Sequence, residues 1–208
     1  MVRNPYILRL TLICPKGAIH IGGGVGQDGS SYKKLGVLTV LWGEIDKKRA
    51  SVIRDRFPND LVINKEFGGK NSDTTVDIEI KAGNLPRPLM MVVDTDGADL
   101  DVLSGAVETL KVVKYLVLEQ HLNWEDGKWA EKLTKTALSY GFRKTLARPS
   151  YNGEYEDVLY TRRTVFSVFL TRVIDNFIGF IKHAWHLRKG HKSTTRFFCR
   201  QCELAKSS

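Results

Sequence analysis

Residues Leu89–Asp94, LMMVVD, form a near-continuous apolar run that ends on a carboxylate. A strand with water on one face alternates apolar and polar side chains. A run with no polar position until its last residue belongs to a strand covered on both faces. This segment is therefore expected at the centre of a sheet, and the rest of the chain has to supply its neighbours and its cover.

Further β-forming runs fill the first half. In YILRLTLIC (Tyr6–Cys14), Leu8, Leu10 and Leu12 share one face, with Arg9 and Thr11 on the other. GAIHI follows a Pro-Lys-Gly turn, and LGVLTVLWGEI (Leu35–Ile45) is a more buried run. LVINKEF reads as a strand. TTVDIEIKA (Thr74–Ala82) alternates, with Val76, Ile78 and Ile80 inward and Asp77, Glu79 and Lys81 outward. The one helix expected here is Asp46–Phe57, with Asp46 as N-cap and Pro58 just past its end. The second half repeats apolar residues at helical spacing over Val102–Leu122, Lys128–Ala147 and Val158–Arg188. The expected class is α+β: a mainly antiparallel β-sheet in the N-terminal half with a short helix, followed by about three helices. Residues 1–100 form the β half, 101–188 a helical half packing on it, and 189–208 a basic Cys/His tail.

Charge is unevenly placed. The net charge is +9, and residues 127–208 hold 16 basic against 6 acidic side chains, so the whole excess lies there. Such asymmetry points to a polyanionic partner. The odd count of cysteines, Cys14, Cys199 and Cys202, makes a poor disulfide framework. Arg9 breaks the N-terminal apolar run, and Arg172, Asp175, Lys182 and His183 interrupt the longest one, Val165–Leu187. Neither suits a signal peptide or a membrane span. The expectation is a soluble, intracellular protein, cytoplasmic or nuclear, without a transmembrane segment.

Three stretches carry candidate chemistry. IHIGGGVGQDGSSYKK contains Gly24-x-Gly26-x-x-Gly29. The dinucleotide fingerprint needs strand, loop, then helix, so that phosphate meets the helix N-terminus. Here the loop is followed by Leu35–Trp42, which reads as strand, so a hairpin loop is expected. LRLTLICPKGAIHIGGG resembles the opening strand and Gly-rich turn of the repeat-associated RNA-binding proteins of CRISPR effector complexes, a resemblance that implies RNA contact. In VVDTDGADLDVLSG, Asp94, Asp96, Asp99 and Asp101 crowd the end of the buried strand. Carboxylates there can hold Mg²⁺ or Ca²⁺, or they can shape a turn and cap a helix. DTDG is similar to the nucleophile motif of haloacid-dehalogenase phosphatases, although Ala98-Asp99 stand where that family has Thr and Leu. At the C-terminus, His183-x2-His186 is followed after twelve residues by Cys199-x2-Cys202. Two nitrogens and two thiolates suit tetrahedral Zn²⁺.

From these features we expect a non-enzymatic basic nucleic-acid-binding protein, with RNA or single strands favoured. Its grip would be Arg188, Lys189, Lys192, Arg196 and Arg200, with a second patch at Arg143, Lys144 and Arg148, and its tail would be ordered by zinc on His183, His186, Cys199 and Cys202. A homo-oligomer is compatible with this. The alternatives are a self-assembling matrix-like protein that contacts membrane or a partner, and a divalent-metal-dependent phosphoryl-transfer enzyme using the Asp94–Asp101 cluster.

Overall fold

The computed structural model describes residues 15–162, except Lys70, Gly83, Asn84, Pro88, Tyr151 and Asn152. In chain order the elements are β1 (Gly17–Ile21), α1 (Gly29–Leu35), β2 (Thr39–Gly43), α2 (Lys47–Arg56), β3 (Leu61–Ile63) and α3 (Val76–Ala82). There follow β4 (Leu89–Val93), α4 (Asp99–Ser104), α5 (Val107–Val112), β5 (Tyr115–His121), α6 (Lys128–Ser139), β6 (Arg143–Pro149) and β7 (Tyr155–Thr161).

The strands form one sheet in the order β3-β2-β1-β4-β5-β7-β6. The first five in that order run parallel, and β7 is antiparallel to both β5 and β6. The LMMVV run is β4, buried throughout and paired on both sides, with Ile19↔Met91 on one edge and Met91↔Leu116 on the other. Its residues alternate between two cores. Met91 and Val93 join Ile19, Ile21, Leu116 and Leu118 beneath helices α3 to α6. Met90 and Val92 join Ala18, Trp42 and Val117 beneath Tyr32 and Leu35 of α1 and Ile53 of α2. Each Val, Leu, Ile or Met side chain among them contributes about 1.5–3 kcal/mol by leaving water. Burial on both faces is why these strands carry so few polar positions.

The expected mainly antiparallel sheet followed by a helical half is therefore corrected to a mostly parallel sheet with helices on both faces. Thr74–Ala82 contains α3 and not a strand. Val76 and Ile80 sit four residues apart on one helical face against the core, while Ile78 points to solvent at 59% exposure. Val102–Leu122 is two short helices and then β5. The break falls at Gly105, where a Cβ would lie 1.9 Å from Gly68 O, so only glycine lets the two backbones pass. Lys128–Ala147 is α6 and then β6, divided at Gly141, whose φ is +79°. Val158–Thr161, expected to open the last helix, belongs to β7. Tyr6–Cys14 and residues 163–208 lie outside the described residues. The α2 helix forms as expected: Asp46 accepts from Arg49 N at 2.8 Å, satisfying a donor that the first turn leaves free.

α5 is capped from a distance. Asp77 on α3 accepts from Glu108 N (2.8 Å) and Thr109 N (2.7 Å). Asp77→Ala should cost about 1 kcal/mol, as loss of a helix cap does, lowering Tm by roughly 2–4 °C in a chain of this size. Asp77→Asn should recover only part of that in thermal unfolding, because its single amide oxygen can accept from one of the two N–H groups while its NH₂ faces the other.

Candidate active site

The strand order reverses between β1 and β4. β2 and β3 extend to one side of β1, and β4 and β5 to the other. In open parallel sheets the crevice outside the carboxyl ends at such a switch point is where ligands bind. A cavity of about 520 Å³ lies there, bordered by residues from the ends of β1 to β5 and the start of β7.

The loop after β1 forms one wall. Gly22 has φ +85° and Gly22 N and Gly23 N both donate to Gly43 O, at 2.9 and 3.1 Å. Asp94 N donates to Ile21 O at 3.0 Å, which ties the ends of β1 and β4 together. A Cβ on Gly22 would fall 1.7 Å from Asp94 O. Glu44, just past β2, organises this wall. One carboxylate oxygen accepts from Gly24 N (2.7 Å) and the other from Asp46 N (2.9 Å), while Asn64 Nδ2 donates to Glu44 O (2.8 Å). Each oxygen keeps a lone pair for a ligand. Ile45 and Phe67 add apolar surface to the cavity.

The far wall comes from β4 and β5. Asp94 and Glu119 are hydrogen-bonded to each other. Burial, helped by that bond and by the charge on Asp94, pushes Glu119 up to about 8. His121 Nε2 lies 3.5 Å from Glu119 Oε2 and 3.7 Å from Asp96 Oδ1. The His121 ring is held flat against Trp124, with centroids 3.8 Å apart and planes 4° from parallel. The aspartates of the DTDG stretch thus divide. Asp94 and Asp96 face the cavity. Asp99 is buried and closes the turn by accepting from Thr95 N, Thr95 Oγ1 and Gly97 N, while Asp101 accepts from Ser72 Oγ at 3.2 Å.

Of the expected cationic residues, Arg143, Lys144 and Arg148 lie on β6 at the edge of the sheet, outside the cavity lining, and Lys144 is engaged by Glu156 at 2.8 Å. Arg188, Lys189, Lys192, Arg196 and Arg200, and the zinc set His183, His186, Cys199 and Cys202, lie outside the described residues. Glu44, Glu119 and His121 were not singled out from the sequence. Glu44 carried a usable signal: an acidic residue at a strand end, about 20 residues beyond a Gly-rich turn, is half of the nucleotide-binding fingerprint. Glu119 carried none, since its meaning depends on Asp94 of the adjacent strand.

No family model and no curated protein matches the sequence. Solved structures do match. A protein of the NADB-Rossmann superfamily from Streptococcus agalactiae is 15% identical, with 78% of this chain and 68% of that one covered and a TM-score of 0.55. Aeropyrum pernix fibrillarin, solved with natively bound S-adenosyl-L-methionine, is 9% identical over 77% and 70%, TM-score 0.53. A proposed RNA methyltransferase from Pyrococcus horikoshii is 13% identical over 77% and 80%, TM-score 0.51. The class defined is thus a Rossmann-like fold of the kind seen in S-adenosylmethionine-dependent methyltransferases. This overturns the expectation of a non-enzymatic nucleic-acid binder and both of its alternatives, since structures sharing the fold are described as methyltransferases or a methylase, or hold S-adenosyl-L-methionine. It overturns zinc as the cofactor as well, S-adenosyl-L-methionine being the group bound in the fibrillarin structure. Among the described residues, no helix is long and apolar enough to cross a membrane.

Proposed function

We propose that this chain is an S-adenosylmethionine-dependent methyltransferase. The observation that carries the reading is Glu44. Its carboxylate lies on the cavity wall at the end of β2, holds the Gly24 amide 20 residues away, and stands where a nucleotide-binding crevice presents an acid to ribose hydroxyls.

The residues also discriminate between nucleoside cofactors. A dinucleotide needs its pyrophosphate at the helix N-terminus after the Gly-rich loop. Here the residue at the N-cap of α1 is Asp28, a buried carboxylate, which repels phosphate. The cavity is lined by Glu44, Glu66, Asp94, Asp96 and Glu119, against Arg49 and a Lys65 already paired with Glu79 at 3.0 Å. An acidic wall suits a cationic cofactor without phosphates. When bound, S-adenosylmethionine supplies an electrophilic methyl group on a positively charged sulfur. Glu44 would hold the ribose, the Gly22–Gly24 backbone would admit close approach, and Ile45 and Phe67 would cover the apolar base.

A nucleic-acid partner is compatible with this fold at a coarse level, through the Pyrococcus horikoshii protein. Equilibrium dialysis with S-adenosylhomocysteine tests the cofactor reading. Wild type should bind it, and Glu44→Gln should weaken binding by about 10–100-fold, the worth of a hydrogen bond to a charged group. Equal affinity in the two proteins would remove Glu44 from the site, and no binding to wild type would reject the function.

A further inference from the structure

β4 and β5 pair in parallel up to Val93↔Leu118, so the next residues, Asp94 and Glu119, emerge side by side on the cavity wall. Their side chains are hydrogen-bonded to each other. Two ionised carboxylates have no proton to place between them, so this contact requires that the pair share one. Other groups face Glu119 from each neighbouring element. Asp96 extends from the loop after β4, His121 lies on β5 itself, and Asp157 of β7 stands opposite in register and is influenced in turn by Arg148 of β6. His20 of β1 acts on Asp94.

We propose that Glu119 is the catalytic base of this site and that the acceptor is an uncharged molecule presenting a hydroxyl. The proposal rests on the methyltransferase reading above. A hydroxyl is a weak nucleophile until its proton is removed, whereas a thiol ionises near neutral pH unaided. An amine beside so many carboxylates would be held as an unreactive ammonium. A polyanion would be repelled by the same wall. In the transfer, which starts from the form that has released the shared proton, the acceptor's O–H bond breaks and its proton passes to the freed Glu119 carboxylate oxygen. The oxygen electron pair forms the new O–CH₃ bond while the electrons of the S–CH₃ bond remain on sulfur. A carboxyl poised by burial and by Asp94 near 8 accepts and returns a proton at physiological pH far more readily than an exposed one. Asp94 is a positioning residue, acting through Glu119, and the flat packing of His121 on Trp124 fixes the ring that borders the pair.

Three measurements on the full chain test this. Dialysis with S-adenosylhomocysteine should show binding by both wild type and Glu119→Gln, which separates the base from the cofactor site. In protein labelled with ¹³C at glutamate carboxyls, one resonance should titrate near 8. It should vanish in Glu119→Gln and move towards ordinary glutamate values in Asp94→Asn, which keeps a hydrogen bond but removes the charge. Tritiated methyl should transfer to phenol or methyl glucoside, and not to butylamine or a uridine oligonucleotide. That rate should rise from pH 6 to 8 in wild type and fall roughly 10²–10⁴-fold in Glu119→Gln. Absent S-adenosylhomocysteine binding would reject the cofactor reading. Binding combined with no carboxyl titrating above pH 6, with undiminished transfer by Glu119→Gln, or with label on the amine, the oligonucleotide or no hydroxyl probe, would overturn this proposal alone.

Discussion

Gly22→Ala should destabilise the chain by about 2–5 kcal/mol and abolish cofactor binding. Two separate costs add. Gly22 lies at φ +85°, where an L side chain costs roughly 1–2 kcal/mol. The new Cβ would also meet Asp94 O at 1.7 Å and Asp94 C at 2.5 Å, so the end of β4 must move away from β1, an overpacking cost of about 1–3 kcal/mol. The displaced residue is Asp94, which lines the cavity and holds Glu119, so the damage reaches both walls of the site at once. Gly36 provides the control. Its φ is +78°, yet the nearest atom to a built Cβ is Lys16 Nζ at 3.9 Å. Gly36→Ala should therefore show only the backbone cost and leave binding intact. Urea unfolding and S-adenosylhomocysteine dialysis on the two variants check this. Equal destabilisation would mean that the β1–β4 junction is not tightly closed.

How much of this was legible in the sequence depended on whether a residue's meaning was local. LMMVV announced its place because a strand covered on both faces has no room for polar side chains. Asp46 announced a cap because its partner is three residues away. The α1 helix was hidden: GSSYKKL spans barely two turns and buries only Gly29, Tyr32 and Leu35, too few positions to show a period. Missing it turned a strand–loop–helix unit into a hairpin, and the acid of the fingerprint at Glu44 went unread. β5 failed for the opposite reason. The opening YLVL of this strand is apolar on both faces and directly follows two short helices, and a continuous apolar run does not distinguish strand from helix. In α3 the apolar residues stand at 76, 78 and 80, and seven residues are too few to separate a period of 2 from one of 3.6. Glu119 and His121 could not be found locally at all. Their chemistry arises from the pairing of β4 with β5, strands separated in the chain by α4 and α5.

The second large effect concerns acid. Wild type should lose about 3 kcal/mol of stability between pH 6.5 and 4 that a His20→Gln variant does not lose. His20 lies on β1 with its side chain fully buried, stacked on Trp42 at 5.2 Å and hydrogen-bonded through Nδ1 to Tyr32 OH at 2.7 Å. Burial lowers its pKa from 6.5 to about 4, opposed by the nearby charge of Asp94. The sign follows from which state holds the proton. Below 6.5 the unfolded chain takes up a proton on this imidazole, while the folded chain does not until about 4. Acid therefore pulls the equilibrium towards unfolding across that window, by about 1.4 kcal/mol for each pH unit crossed. Glu119 acts in the opposite direction. Its folded pKa is raised, so the folded state holds a proton between the ordinary glutamate value and about 8, and that contribution grows as pH falls. The raw stability profile of wild type mixes the two. Glu119 is present in both proteins, so the difference between them isolates the histidine. Gln keeps a polar group towards Tyr32, and any constant offset at pH 7 can be subtracted. With that offset removed, urea midpoints at pH 7, 5.5 and 4.5 should separate as the pH falls, wild type dropping relative to His20→Gln. Parallel profiles would mean that the imidazole takes up its proton in the folded chain, and hence that the core between β1, α1 and Trp42 admits water.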